Sequence, residues 1–307
     1  AAAVSGAPDA GMGIMMMGNR AAIGQYLAYS RVQESTADAA GARFLNGAGV
    51  NGQGMLSFFQ KLQNLEFRYA VPQDNSFERT HPLSGERIQR LGTDLRASPA
   101  WGHPLDPALE ARFERVQAKL RGYVNDASDT LRRYPVSDQS IPAHYARAYA
   151  YHKSGYPEQA AAEAAALVRA DPTDPYFLEL QGQILLESGK PEESLEPLRQ
   201  ATERSNGQPL IATTYGHALI ATENPAHLEE AVRVLRAAVA GDKENPFAWY
   251  QLGTAYERLG DQPRTALATA ERAIITGDNA VAVMSARAAM TGLAEGSPEW
   301  IRAQDIL

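Results

Sequence analysis

Cysteine is missing from all 307 residues, which excludes a disulfide framework and any thiolate-bound metal. The lack suits an oxidising compartment, where a stray thiol is a liability, without establishing one. No apolar run approaches the eighteen residues a membrane-spanning helix needs. The most conspicuous cluster, Ile14-Met15-Met16-Met17, is far too short. The start, Ala1-Ala2-Ala3-Val4-Ser5-Gly6, has no initiator Met, no basic n-region and no apolar h-region. From this the sequence is expected to be the later part of a longer gene product, with any signal peptide outside it. A basic excess is lacking too. Residues 1–100 carry nine Lys/Arg against eight Asp/Glu, so of a total of −7 the remainder holds −8. Such a balance argues against nucleic acid, whose phosphates need a basic face. It favours a basic or weakly charged polypeptide as guest, although most of these charges are expected simply to solvate the surface.

What is present is a repeat. Ala148, Gly182, Gly216 and Gly253 are spaced by 34, 34 and 37 residues. Tyr151, Leu185, Leu219 and Tyr256 keep the same intervals, as do Gly155, Gly189, Glu223 and Gly260. The small residue lets two helices approach closely, and the Leu or aromatic one turn on fills the groove beside it. The Gly four further on ends the first helix, where it adopts a left-handed conformation at little cost. Second helices are predicted at 158–170, 191–204, 228–240 and 263–275. The three extra residues fall in the turn Thr222–Leu228, where an insertion is tolerated. Asp278–Leu293 and Pro298–Ile306 read as terminal capping helices, and Pro107–Tyr134 as two helices leading in. The pattern resembles the tetratricopeptide repeat over Pro142–Gly277. That resemblance implies a superhelix holding extended peptides or partner helices. Asn206 stands where the repeat often has Pro, and Glu223 replaces a turn Gly.

The first eighteen residues lack periodicity and are expected to be irregular or mobile, with an adaptable Met surface for substrate or lipid as the alternative. A helix is predicted from Asn19, a candidate N-cap, to Asn46. At 100° per residue Ile23, Leu27, Glu34, Asp38, Gly41 and Leu45 fall within about 40° of one line. Two carboxylates thus interrupt an apolar stripe and need a cation, a metal or a strong donor. Arg31 on the same helix, or an Arg from a neighbouring one, would suffice.

The local motif is Glu34-Ser35-Thr36-Ala37-Asp38, of the form Glu-x-x-Ala-Asp. Thr80-His81-Pro82-Leu83-Ser84-Gly85-Glu86-Arg87-Ile88 follows, with His81 lying 47 residues after Glu34. Together they resemble the zinc metallopeptidase family that includes the HtpX and CaaX-prenyl-protease enzymes. Within it, the chain is similar to the periplasmic branch that carries C-terminal tetratricopeptide repeats and serves outer-membrane protein quality control or assembly. The resemblance implies an all-α chain in three parts: 1–100 a partial zinc metallopeptidase domain, 101–141 connecting helices, and 142–307 the repeat array with its capping helices. It implies Glu34 as a zinc ligand and Asp38 as the acid behind the ligands that orients an imidazole. His81 would lie at the metal cleft as a catalytic, inhibitory or structural group. Arg87 would pair with a site carboxylate or with developing oxyanion charge, unless it forms an ordinary structural ion pair. For His81 the plain alternative is a loop histidine that caps the next helix through Thr80. Polypeptide substrates or outer-membrane assembly proteins would dock on the array, and peripheral membrane association stays open.

The six histidines are His81, His103, His144, His152, His217 and His227, and no two stand four apart, so there is no His-Glu-x-x-His. The chain by itself is therefore expected neither to hold zinc tightly nor to cleave peptides. The competing reading is a non-enzymatic tetratricopeptide adaptor whose N-terminal helices only brace the array.

Overall fold

A computed structural model describes residues 8–72 and 81–307, with side chains from residue 22 onward. The Thr80 cap therefore lies outside the described residues. The fold is all-α: fifteen α-helices and no strand occur among the described residues. They fall into two compact units, residues 1–110 and 111–307.

In the first unit α1 runs Pro8–Gly47, α2 Gln53–Arg68 and α3 Ser84–Arg96. The long first helix corrects the predicted irregular start. It runs over Pro8–Gly47 among the described residues, so Asn19 stands inside the helix rather than at its N-cap position. Proline is at home in a first turn, and the following Ala and Met residues are strong helix formers with no breaker strong enough to stop them. The predicted stripe holds only over part of its length. Asp38 is buried and Glu34, Gly41 and Leu45 are half-buried, but Ile23 is exposed. Ala42 joins Leu56 and Phe59 of α2 and Leu91 and Leu95 of α3 in one core. Gly52 lets the α1–α2 turn sit on α3, since a Cβ there would lie 2.6 Å from Leu95 Cδ2.

Helix α4 (Pro107–Val124), most of which belongs to the second unit, is followed by α5 (Ala127–Arg133) and then four helical hairpins. Their first helices are α6 (Ile141–Lys153), α8 (Pro175–Glu187), α10 (Pro209–Ala221) and α12 (Pro246–Leu259). Their second helices, α7 (Pro157–Ala170), α9 (Pro191–Arg204), α11 (Leu228–Gly241) and α13 (Gln262–Ile275), stand where the spacing places them. The terminal pair is α14 (Asn279–Gly292) and α15 (Pro298–Asp305). The three inserted residues appear as a 3-10 turn, Pro225–His227. The repeat's small residue is sterically required: a Cβ at Gly182 would lie 2.4 Å from Leu198 Cγ, and one at Gly216 2.4 Å from Leu235 Cγ. All four turn positions have positive φ, Gly155 at 76°, Gly189 at 78°, Glu223 at 57° and Gly260 at 79°. Glu223 thus keeps the left-handed turn of the glycine it replaces, at the steric cost of its Cβ. Asp174 and Asn245 cap α8 and α12 by accepting from the backbone N–H groups of Tyr176 and Phe177, and of Phe247 and Ala248.

Candidate functional site

The site sits where α1 and α3 meet over α2. Glu66 of α2 sets the start of α3, its Oε1 accepting from Ser84 N at 3.1 Å and Ser84 Oγ at 2.6 Å. A carboxylate at a helix N-terminus satisfies an otherwise orphaned N–H and meets the positive end of the dipole. Pro82, Leu83 and Ser84 are buried, which holds His81 beside α1. At Gly85 a Cβ would lie 2.6 Å from the Gln63 Nε2, so the first turn of α3 lies tight on α2. One turn into α3, Arg87 reaches α1.

Arg87 grips Asp38 with both ends of its fork, Nε to Oδ2 at 2.8 Å and an Nη to Oδ1 at 2.6 Å. The guanidinium lies 4.2 Å from the centre of the Phe59 ring, so one face is desolvated by an aromatic. The hydrogen bond to Asp38 is the main cause of a guanidinium pKa raised above its ordinary value, outweighing the opposing desolvation. The same Nη stands 3.4 Å from Glu34 Oε2. Glu34 Oε1 takes His81 Nδ1 at 2.9 Å. A carboxylate only accepts, so the hydrogen bond places the proton on Nδ1 and, in the neutral ring, a lone pair on Nε2. The side chains are graded from inside to outside: Asp38 6% exposed, Arg87 16%, Glu34 28% and His81 68%. On the outer side of the pair Arg90 of α3 contacts Ser35 Oγ of α1.

The structure therefore brings Glu34, Asp38, His81 and Arg87 into one hydrogen-bonded cluster, although they come from two motifs 47 residues apart. Of the partners the stripe required, the neighbouring-helix Arg is Arg87. Both Asp38 oxygens are occupied by it. Sequence reasoning missed Phe59 and Glu66. Neither stands in a periodic pattern with the motifs.

Residues 1–94 match the family described as Peptidase family M48, and residues 144–291 match the Tetratricopeptide repeat. A segment similar to Peptidase family M48 is thus followed in the chain by one similar to the tetratricopeptide repeat. It is homologous to the beta-barrel assembly-enhancing protease of Escherichia coli (strain K12), at 24% identity over 93% of this chain and 58% of that protein. The counterpart in Yersinia pestis is 24% identical over 82% of this chain and 51% of its own length. The chain thus spans between half and three-fifths of the curated relatives it matches. Among solved structures it is similar to YrrB, a tetratricopeptide protein with an unusual peptide-binding site, at 20% identity and a TM-score of 0.45, covering 59% of this chain and 96% of that one.

Enzymes of the M48 family are zinc metallopeptidases. A catalytic zinc takes three protein ligands and keeps one position open. In the M48 segment Glu34 and His81 supply two donors side by side, while the Asp38 carboxylate is consumed by Arg87. Among the described residues no group of three His, Cys, Asp or Glu side chains could hold a metal ion. These residues do not fit zinc by themselves. What the cluster does on its own is hold a half-buried carboxylate, Glu34, between a guanidinium and an imidazole, with both its oxygens fixed in direction. Among the described residues no helix is long and apolar enough to cross a membrane.

Proposed function

We propose that the chain is the C-terminal portion of a periplasmic zinc metallopeptidase acting in protein quality control or outer-membrane protein assembly, with its repeats docking substrate or partner polypeptides. The single observation that carries this reading is the Glu34–His81–Asp38–Arg87 cluster. A purely bracing pair of helices would need Asp38 and Arg87, but has no use for a second, half-exposed carboxylate aligned with an imidazole. The M48 match over 1–94, the repeat match over 144–291 and the relatives' name support it. The periplasmic placement comes with the family resemblance.

In this reading Glu34 contributes one ligand to zinc in the intact protein, whose remaining ligands come from residues this sequence does not include. Zinc, when bound there, would supply Lewis acidity and an activated water. Arg87 anchors α3 to α1 through Asp38 and fixes the direction of Glu34 through its second contact. His81 shields the outer Glu34 oxygen and, on the solvent side, stands where a substrate carbonyl could be met. Elemental analysis of the full-length protein tests the reading. The expected result is one zinc per chain, retained through dialysis, and at least a tenfold weaker hold in Glu34→Gln. A metal-free full-length protein, or an unchanged zinc content in Glu34→Gln, would sink it.

A further inference from the structure

Helix α4 carries its apolar stripe on the outside. Its inner face is small: Ala118 and Gly122 are buried, and a Cβ at Gly122 would lie 2.6 Å from the Ala146 carbonyl oxygen of α6. At 100° per residue Leu109, Phe113, Val116, Leu120, Tyr123 and Val124 fall within about 50° of one line on the opposite side. Each is between 51% and 70% exposed. An end helix of a repeat array is expected to turn a polar face outward, and a continuous apolar stripe of this kind marks an interaction surface rather than scattered exposure.

The two edges of the stripe differ. Arg112, Arg115 and Lys119, spaced to share a face, run along one edge, with Glu110 and Glu114 along the other. On the arginine edge a cavity of about 640 Å³ opens between α4 and the starts of α6 and α8, lined by those three cations, Val116, Tyr145, Asp174 and Tyr176. Arg115 is committed to Asp174 through a two-pronged ion pair at 2.6 and 2.8 Å, and stacks 4.3 Å from the Phe177 ring centre. Lys119 pairs loosely with Glu179 at 3.8 Å and lies over the Tyr145 and Tyr149 rings. Arg112 has no ion pair among the described residues. Tyr145 is 2% exposed, yet its hydroxyl has no hydrogen-bond partner. An orphaned buried hydroxyl is costly, and here it lines the edge that carries the unpaired Arg112. Burial raises the phenol pKa well above its ordinary value, so it is a donor at every physiological pH.

We propose that α4 and this cavity form a docking ledge for an amphipathic helical segment of a partner polypeptide, whose apolar stripe lies on Phe113, Val116 and Leu120 and whose carboxylates face the cationic edge at Arg112. The inference rests on the reading that the array docks polypeptides, and adds which face and which chemistry. It also revises the guest expected from net charge: the chain is acidic beyond residue 100, but the edge of this stripe that carries the cavity is cationic, and its exposed, unpaired charge is Arg112. The acidic far edge, Glu110 and Glu114, argues against an anionic lipid surface. A second copy laid antiparallel on the stripe would set the arginine edge against itself.

The test uses the 307-residue chain and two synthetic helical peptides of about sixteen residues, with Leu at helical spacing and one edge of either Glu or Lys, followed by fluorescence anisotropy. The Glu peptide is expected to bind at least tenfold more tightly than the Lys peptide, with affinity falling as salt rises. Phe113→Asp and Arg112→Glu are each expected to weaken it at least fivefold while leaving the helical circular dichroism unchanged, since both side chains are exposed. Equal binding of the two peptides, no binding, or indifference to Phe113→Asp would overturn the proposal. So would preferential binding to phosphatidylglycerol vesicles, or a concentration-dependent dimer in sedimentation that Phe113→Asp abolishes. Zinc and proteolysis do not enter this readout, so its failure leaves the peptidase reading standing, and the converse holds too.

Discussion

Replacing Arg147 with Ala is expected to destabilise the repeat array by about 3–5 kcal/mol, the scale for removing one partner of a buried ion pair. Arg147 is fully buried inside the first hairpin. Its Nε donates to Glu163 Oε1 at 2.7 Å and an Nη to Oε2 at 2.9 Å, which ties α6 to α7. The other Nη donates to the carbonyls of Pro135 and Asp138, at 2.9 and 2.7 Å, and so ties down the turn that enters the hairpin. The Ala variant leaves the Glu163 carboxylate, only 13% exposed, with His144 as its remaining partner among the described residues, at 2.5 Å. The Pro135 and Asp138 carbonyls lose their donor as well, but Pro135 is exposed and Asp138 half-buried, so water can take its place and the stranded Glu163 carboxylate carries most of the cost. Urea unfolding followed by circular dichroism reads the effect. Arg147→Met combined with Glu163→Leu is expected to recover most of the loss, because a buried ion pair often yields little against an apolar pair of similar volume. A single-variant loss below about 1 kcal/mol would mean that water replaces the guanidinium without penalty.

Asp38→Ala is expected to cost the first unit about 3 kcal/mol, and for the same reason. The variant strands the Arg87 guanidinium over Phe59, with the 3.4 Å contact to Glu34 as its remaining ion pair among the described residues. Hydrogen exchange should report it as a loss of protection in α1 and α3, with the repeats unaffected, because the pair joins only those two helices. Asp38→Asn keeps the shape and one acceptor and should fall between the wild type and Ala. The Glu34 carboxylate then becomes the nearest anion to Arg87 among the described residues, ahead of Glu66, so the two should draw together. Unchanged protection in Asp38→Ala would show that the hydrophobic contacts of Ala42, Leu56, Phe59, Leu91 and Leu95 carry this unit alone.

The array was legible from sequence because its constraints recur. Gly182 and Gly216 are small since Leu198 and Leu235 occupy the space a Cβ would need, and Gly155, Gly189 and Gly260 sit at positive φ. Four repetitions of one steric rule leave a spacing that needs no alignment to see. The cluster was legible in part, since two carboxylates one turn apart in an apolar stripe demand a partner, and Arg87 is that partner. What stayed hidden depends on single, non-repeating contacts. The start of α1 was missed because Ala, Gly and Met carry no apolar period while still forming helix. Arg147 was missed because nothing in an alanine-rich run announces that one arginine is turned inward. Glu66 was missed because it serves a helix that begins 18 residues later. The ledge on α4 was missed for a different reason. An amphipathic helix normally hides its stripe, and only the packing of Ala118 and Gly122 on α6 shows that this one does not.

The most direct measurement is casein proteolysis by the full-length protein, compared with its Glu34→Gln variant at equal folded concentration. If Glu34 belongs to a peptidase centre, the variant should lose at least roughly 100-fold in rate, or about 2.7 kcal/mol of transition-state stabilisation. Proteolysis that survives Glu34→Gln at the wild-type rate, in a protein whose α1–α3 unit remains folded, would contradict the account and leave the array with helices that only brace it.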